Sequence, residues 1–449
     1  MRLERTIGVK NSNPLICEFA CQSIEAKINY RMTFSIPPKS LPILITSIAL
    51  AISCTSARAD NWGHWRGDNG NGVSLTAQPP TEWSATKNVK WKVEVPGRSS
   101  GSPVIWGDQV FVVSAVGSGN REFKLFCFER KTGALRWEKA AVTATPHEGT
   151  HSTNGFASAS PCTDGEHVYV HFGSRGLHCF TLDGELKWSR DFGKMETRNS
   201  FGEGSSPTLV DDKILVPWDH EGQSSLHALN KSTGETIWKT DRDEPSCWAT
   251  PLIVESGGKK QVIMNGENRA RSYSLETGEE IWSCGGQTQR PVASPVFAND
   301  IVYIGSGFRG SFLGAFRLDG KGDIAGTDKI VWSVDRDTPD IASPLLSNNR
   351  IYFHKAKTGI LSCLDATTGK LLFGPERISE ISNTYASPVA AGGHVYITGR
   401  SGNTTVIKDA ATLEVVSTNS LGETIDATPA PVDKELFIRG EKHLFCISE

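Results

Sequence analysis

The chain has 449 residues, 22% of them charged, and a formal net charge of −3. A near-neutral balance without a run of lysine or arginine argues against a protein that binds nucleic acid through its phosphates. Glycine is abundant, with 44 residues, and 12 tryptophans are many for this length, so the positions of both residue types are informative.

The N-terminal segment, residues 1–59, is typical of a targeting sequence. A short apolar run, "LPILITSIALAIS" over 41–53, follows Lys39 and precedes the small residues of "ARAD". The run is too short for a comfortable transmembrane helix. We therefore predict a signal peptide that is cleaved after Ala59, and a periplasmic or secreted protein.

Three alternatives stay open for this segment. Met32 lies at a suitable distance ahead of the apolar run to be the true start, in which case residues 1–31 belong to an over-long gene prediction. The segment could also be retained as a membrane anchor. Cys54 is a possible lipidation site, although "LAIS" before it is a poor lipobox, and only these last two cases would associate the protein with a membrane.

A small hydroxyl residue followed by proline recurs eight times along the rest of the chain. These anchors are Ser102-Pro103, Ser160-Pro161, Ser206-Pro207, Thr250-Pro251, Ser294-Pro295, Ser343-Pro344, Ser387-Pro388 and Thr428-Pro429. Self-similarity at this period indicates a repeat architecture of eight units.

Each unit has the same internal order. A few apolar residues and a polar turn follow the anchor, then come an alternating strand such as "HVYVHF" and a third strand such as "GLHCFT". A glycine-containing turn such as "STGETIW" then leads into a fourth strand that begins with an aromatic residue. Four antiparallel strands in each of eight units predict an all-β, eight-bladed β-propeller over 87–449.

The ends of the chain predict how the ring closes. The last unit stops after its third strand, whereas a spare strand, "NVKWKVEV" around Trp91, precedes the first anchor. We expect this strand to complete the last blade and so to leave no open sheet edge. Residues 60–86 lie outside the repeat and are predicted to pack on one face of the propeller.

Cysteine usage argues for a packed core and against a disulfide framework. Four cysteines, Cys127, Cys179, Cys363 and Cys446, occupy one repeated position in the third strand, where other units have alanine. Cys247 and Cys284 flank one repeat, and whether they pair stays open at this point.

The turn "ALNKSTGETIW" (228–238) and its copies resemble the tryptophan-docking motif of pyrroloquinoline-quinone (PQQ) dehydrogenases and PQQ-like propellers, including BamB-like proteins. The resemblance covers nearly all of 87–449. The preceding "WGHWRGDNGNGV" resembles the start of many secreted bacterial PQQ-like propellers of unassigned function. The resemblance to the tryptophan-docking motif implies that one set of tryptophans packs between neighbouring blades: Trp91, Trp137, Trp188, Trp238, Trp282 and Trp332.

The same resemblance raises the question of catalysis. A PQQ dehydrogenase is expected to have two adjacent cysteines, a calcium site of carboxylate and amide oxygens, an aspartate base and long insertions. This chain has no Cys-Cys and its units are close to minimal. We therefore predict no cofactor and no catalytic residue, with PQQ and calcium as the alternative.

The stretch "HEGTH" (147–151) fits the zinc-protease pattern, which requires both histidines on one face of a helix. Pro146 precedes it, Gly149 lies inside it, and its position between two units indicates a loop. We interpret it as a chance match and predict no metal site, although both histidines could line a binding surface.

The loops that lead into the innermost strand of each unit, here called the mouth loops, should surround one mouth of the central channel. Ten of their residues are candidates for ligand binding: His147, His151, Asn154, Arg198, Glu203, Arg242, Trp248, Arg290, Arg336 and Asp337. The several arginines would suit an anionic or carbonyl-rich ligand.

Three functions are therefore under consideration. The first is a non-catalytic, monomeric propeller that binds a protein, peptide or glycan at the mouth loops. The second is a divergent PQQ-dependent oxidoreductase. The third is a BamB-type scaffold for outer-membrane protein assembly, which the weak lipobox before Cys54 disfavours.

Overall fold

The computed structural model describes residues 60–449. The predicted signal peptide, its cleavage site, Met32 and Cys54 lie outside the described residues. No helix within 60–449 is long and apolar enough to cross a membrane.

The described chain forms eight antiparallel sheets, here called blades 1 to 8. Strand β1 is Val89–Glu94. Blade 1 contains β2 (Val104–Trp106), β3 (Gln109–Val116), β4 (Arg121–Glu129) and β5 (Leu135–Ala144). Blade 2 contains β6 (Cys162–Thr163), β7 (His167–His171), β8 (Leu177–Thr181) and β9 (Leu186–Arg190). Blade 3 contains β10 (Thr208–Val210), β11 (Lys213–Trp218), β12 (Ser224–Asn230) and β13 (Thr236–Arg242). Blade 4 contains β14 (Leu252–Ser256), β15 (Lys259–Met264), β16 (Ala270–Ser274) and β17 (Glu280–Cys284).

The second half continues in the same way. Blade 5 contains β18 (Val296–Ala298), β19 (Ile301–Ser306), β20 (Phe312–Arg317) and β22 (Ile330–Val334), and the intervening β21 (Gly322–Asp323) pairs in parallel with β17 of blade 4. Blade 6 contains β23 (Leu345–Ser347), β24 (Arg350–His354), β25 (Ile360–Asp365) and β26 (Leu371–Arg377). Blade 7 contains β27 (Val389–Ala391), β28 (His394–Thr398), β29 (Asn403–Lys408) and β30 (Val415–Ser420). Blade 8 contains β31 (Ala430–Val432), β32 (Glu435–Arg439) and β33 (His443–Ile447). Two short 3-10 helices, Gly173–Arg175 and Arg198–Ser200, lie in loops.

The all-β, eight-bladed propeller predicted from the repeats is confirmed. The outermost strand of blade 8 is β1, which pairs antiparallel with β33 and places Trp91 opposite Cys446. The innermost strands of blades 8 and 1, β31 and β2, are also in contact. The first and last strands of the repeat region therefore belong to one sheet.

The eight anchors form a closed ring of hydrogen bonds around the propeller axis. The backbone N–H of each anchor serine or threonine donates to the hydroxyl oxygen of the next anchor, at 2.9 to 3.2 Å. The last bond runs from Thr428 N–H back to Ser102 Oγ, at 2.9 Å. We call this set of eight residues the hydroxyl ring, and it explains why every anchor is serine or threonine and none is alanine.

The docking tryptophans connect neighbouring blades. Five of the six donate their indole N–H to a backbone carbonyl in the turn of the next blade, for example Trp188 to Lys231 at 3.1 Å. Gly234 of that turn has φ of 73°, and a Cβ at this position would lie 2.7 Å from the Trp188 ring. Trp282 is fully buried without such a bond, and the turn that follows in blade 5 is extended by β21, which pairs with the strand that carries Trp282.

The repeated cysteine position faces the docking tryptophan of its own blade. Cys127 lies opposite Trp137 and Cys179 opposite Trp188, and a β-bulge follows directly in both strands. A small residue is needed there because the indole occupies the space across the strand pair. All seven cysteines of the described chain are buried and free, so Cys247 and Cys284 form no disulfide.

Candidate functional site

The residues that precede β1 close the central channel on one side. Residues 61–73, here called the plug, contact the innermost region of every blade. These contacts are Trp62 with Ile105, Gly63 with Thr163, His64 with Pro207, Gly70 with Leu252, Asn71 with Phe297, Arg66 with Pro344, Gly72 with Ala390 and Trp65 with Thr428. The channel is thus blocked beneath the mouth loops and becomes a blind pocket.

The pocket has a volume of about 320 Å³ and combines three kinds of side chain. Six members of the hydroxyl ring line its lower part. Aromatic side chains form the walls and floor: Trp65, Phe201, Trp248, Phe308 and Tyr385. Charged side chains are Arg290, Lys357 and Asp426. Apolar ring faces with a few convergent polar groups are the usual composition of a small-molecule site.

Two of the three charged residues of the pocket, Arg290 and Asp426, form ion pairs, whereas the third, Lys357, forms none with another described residue. Asp426 accepts from Arg400 Nε at 2.7 Å, and Arg290 Nη2 lies 2.9 Å from Asp340 Oδ1. Burial raises the pKa of both carboxyls, although each arginine opposes this shift. Lys357 is exposed at the pocket and has no ion pair among residues 60–449. The free charge of the pocket is therefore positive.

Four of the ten predicted site residues line the pocket: His151, Asn154, Trp248 and Arg290. The Asn154 amide donates to the Phe201 carbonyl at 2.9 Å, and the Trp248 indole donates to the carbonyl of Gly202 at 2.6 Å. These two bonds position the loop that carries Phe201. The His151 ring lies edge-on to Phe201, with ring centroids 5.2 Å apart.

Five other candidates lie on mouth loops but outside the pocket lining. Glu203 accepts from Arg175 Nη1 at 2.6 Å, and Arg198 donates to Glu267 at 2.6 Å. Asp337 pairs with Lys355, also at 2.6 Å. His147 and Arg336 are exposed. The first three stabilise loops, so their charges are engaged within the protein.

Arg242 was predicted as a residue of the binding surface, and this prediction is wrong. Its guanidinium is completely buried between blades 3 and 4 and donates to both oxygens of Asp219, to the Tyr273 hydroxyl and to the Asn265 carbonyl. Arg242 is the last residue of β13 and not part of the following loop. Its charge holds two blades together and is not accessible to a ligand.

The "HEGTH" stretch is a loop, as its proline and glycine predict. His151 lies at the pocket, whereas His147 lies beside Met195, with Nε2 2.6 Å from its carbonyl oxygen. Potential ligand atoms of His147, Glu148 and Glu203 come within 4.8 Å of one another. Both carboxylates already accept hydrogen bonds, Glu148 from Thr197 and Glu203 from Arg175. The helical arrangement of a zinc protease is not present here.

The sequence analysis missed several lining residues. Trp65 belongs to the segment 60–86 that was predicted to pack on one face, but it was given no role at the site, whereas it forms the pocket floor. Phe201 lies in a mouth loop from which only Arg198 and Glu203 were selected, and Tyr385 lies in a mouth loop from which no residue was selected. Phe308 and Lys357 lie in loops between second and third strands. An aromatic residue within an otherwise small and polar loop was the signal that could have identified three of them.

The fold and the axial pocket define a propeller of the PQQ-like repeat class. The sequence profile described as "Outer membrane protein assembly factor BamB" matches residues 61–216, 183–323 and 325–449, and the chain belongs to this family. No curated protein sequence matches the chain.

Solved structures share the fold at low identity. BamB from Moraxella catarrhalis is 12% identical with a TM-score of 0.56, over 80% of this chain and 99% of that one. A europium-containing methanol dehydrogenase is 12% identical with a TM-score of 0.59, over 86% and 90%. The quinohemoprotein alcohol dehydrogenase from Comamonas testosteroni is 10% identical with a TM-score of 0.61, over 88% and 81%. BamB and two dehydrogenases are therefore similar to this chain in fold.

Proposed function

We propose that this protein is an extracytoplasmic, non-catalytic binding propeller that takes a glycan into the blind pocket at its mouth loops. The observation that carries the proposal is the pocket itself, which combines aromatic rings with six hydroxyl groups of the ring in its lower part. Such a site supplies stacking faces and hydrogen bonds to a polar ligand.

The dimensions favour a glycan over a folded protein. A volume of about 320 Å³ suits one or two sugar rings, whereas a folded protein partner would need a broad contact surface around the mouth and could not enter the pocket. Sugars present apolar C–H faces to aromatic rings and hydroxyl groups to polar side chains, and the lining combines both kinds of group, with Trp248 and Tyr385 beside six members of the hydroxyl ring. The unpaired Lys357 and the Nε of Arg290, which has no hydrogen-bond partner, favour an acidic sugar.

The residues fit calcium-bound PQQ poorly. A calcium ion in such a site needs several carboxylate or amide oxygens that are free to bind it. Asp426 is the one carboxylate of the pocket lining, and both of its oxygens accept from Arg400. The chain also has no adjacent cysteines. These features support binding without oxidation chemistry, and we derive no reaction from the site.

Calorimetric titration with a panel of glucose, N-acetylglucosamine, glucuronate and galacturonate tests the proposal. We expect the acidic sugars to bind more tightly than the neutral ones, and Trp248→Ala to weaken binding by about tenfold or more, because a buried aromatic contact contributes roughly 2 kcal/mol. Arg336→Ala is the matched control, since Arg336 is an exposed mouth-loop residue outside the pocket.

Two results would contradict the proposal. Sugar binding that is equally strong in the Trp248→Ala variant would place the site elsewhere. Saturable binding of PQQ in the presence of calcium, with no sugar bound by the folded protein, would favour the oxidoreductase alternative.

A BamB-type scaffold is the second candidate, because the family profile covers nearly all of the described chain. Deletion of the gene in the source bacterium separates the two functions. A scaffold predicts lower amounts of several outer-membrane β-barrel proteins and recovery of the protein in the membrane fraction. A glycan-binding protein predicts neither effect.

A further inference from the structure

We propose that the propeller axis carries an anion site, formed by Arg66 of the plug and the hydroxyl ring, for a small group that only accepts hydrogen bonds: a halide ion or a carboxylate. This site adjoins the lower end of the proposed glycan pocket, because six of the eight ring members also line that pocket. It is distinguished from the pocket by Arg66, which is not part of the pocket lining, and it does not depend on the proposed function.

The first observation is a buried cation without a counter-ion. Arg66 is 1% exposed, and its Nη2 donates to the carbonyls of Asn71 and Pro344 at 2.7 and 2.8 Å. Its Nε and Nη1 have no hydrogen-bond partner, and no carboxylate of residues 60–449 forms an ion pair with it. Burial lowers the pKa of Arg66 to about 9, which leaves it charged at neutral pH.

The second observation is a set of hydroxyl groups with unused protons. Each hydroxyl oxygen of the ring accepts a backbone N–H, but none of the eight donates a hydrogen bond to another described residue. Arg66 is close to this ring, because Pro344 directly follows the ring member Ser343, and Trp65 donates to Thr428.

Donors therefore outnumber acceptors around the axis, and this favours an anion over water. A serine or threonine hydroxyl can accept two hydrogen bonds, so most ring oxygens keep one free lone pair, but Arg66 Nε and Nη1 can only donate, and a water molecule beside them would leave the charge of Arg66 without compensation. A halide or carboxylate only accepts, and it also neutralises the charge of Arg66. The neighbouring His64 adds no second cation, since burial lowers its pKa to about 4.

Bromide soaked into crystals of the full-length protein is the direct test, because bromide replaces chloride and is located by its anomalous scattering. We expect an anomalous peak on the axis, within hydrogen-bond distance of Arg66 Nε or Nη1. Bromide at surface lysines only, as an adventitious ion, or an axis filled by water alone would overturn the proposal.

A second soak distinguishes the two sources of the anion. With glucuronate added to the bromide, loss of the axial peak would show that the carboxylate of a pocket ligand occupies the site. Retention of the peak would show that the site holds a halide independently of a sugar. Both results support the anion site, and an absence of sugar binding would leave the bromide result unchanged, so failure of the two proposals is distinguishable.

Thermal unfolding of Arg66→Gln supplies a measurement in solution. For the wild type, replacement of sulfate by chloride at a hundredfold excess over Kd should raise Tm by about 3 °C relative to the variant. The control is Arg439→Gln, because Arg439 is also buried without a carboxylate but donates to the carbonyls of Gly440 and His443 in blade 8. A chloride effect that is the same in all three proteins would contradict the proposal.

Discussion

The contact between each docking tryptophan and the glycine of the next blade can be isolated with two alanine substitutions. Gly234 has φ of 73°, and an added Cβ would lie 2.7 Å from the Trp188 ring. Gly393 has a similar φ of 76°, but no atom lies within 4 Å of the position of its Cβ. Both substitutions place alanine in the left-handed region, and only Gly234→Ala also pushes against an indole.

The expected costs follow from these two geometries. The left-handed backbone costs an alanine about 1–2 kcal/mol, which is the whole expected loss for Gly393→Ala. Overpacking against Trp188 adds about 1–3 kcal/mol, because a packed indole between two blades cannot move freely. We therefore expect Gly234→Ala to lower the free energy of unfolding by roughly 2–5 kcal/mol.

Urea denaturation, followed by tryptophan fluorescence and far-ultraviolet circular dichroism, measures both variants against the wild type. The informative quantity is the difference between the two losses, since the backbone contribution cancels. Equal losses for Gly234→Ala and Gly393→Ala, within about 0.5 kcal/mol, would refute the idea that the glycine is required for close approach of the indole.

Three further predictions concern buried groups. Asp219→Asn should lower the free energy of unfolding by about 3–5 kcal/mol in urea denaturation, because it leaves Arg242 buried without its counter-ion. The control Asp212→Asn changes an exposed residue and should cost less than about 1 kcal/mol. Similar losses in the two variants would contradict a stabilising role of the buried ion pair. Burial lowers the pKa of His171 to about 4, so the unfolded chain binds a proton more readily than the folded one, and stability should be lost as pH falls from about 6.5 towards 4. The loss between pH 7 and pH 4.5 should be smaller in His171→Phe, and an unchanged pH profile would count against a neutral His171. Burial raises the pKa of the Cys127 thiol to about 12, so a thiol reagent at pH 8 should label it in urea but not in the native protein, as peptide mass spectrometry would show.

The fold could be predicted because the same physical requirement recurs in eight units. A single alternating strand or glycine turn is compatible with many folds. Eight repetitions of the same anchor, turn and aromatic residue are compatible with few architectures other than a propeller. The sequence could not show why the anchors are hydroxyl residues. That reason depends on a hydrogen bond from one blade to the next, such as Ser102 N–H to Ser160 Oγ, between residues 58 positions apart.

The site was harder to predict because its residues come from separate loops whose inward or outward direction the sequence does not reveal. Arg242 illustrates the limit. It stands at the end of a strand, next to a loop rich in charged residues, and nothing nearby indicates that Asp219 and Tyr273 enclose it. Arg290 belongs to a similar loop, yet its guanidinium stacks 4.0 Å from the Phe308 ring at the pocket. The difference lies in tertiary partners and not in local composition.

The plug determines what the propeller can do, and it is the one part of the site that the repeat does not encode. A ring of eight blades alone encloses an open channel, through which a small ligand could pass without being retained. Residues 61–73 convert that channel into a pocket with a floor, because Trp65 binds Thr428 of blade 8 and Arg66 binds Pro344 next to blade 6. The ring then faces a pocket that is closed on the plug side, in which its unused hydroxyl protons are available to a ligand that enters from the mouth loops. Ligand specificity in this protein should therefore depend more on the plug than on the docking motif, which serves the blades alone.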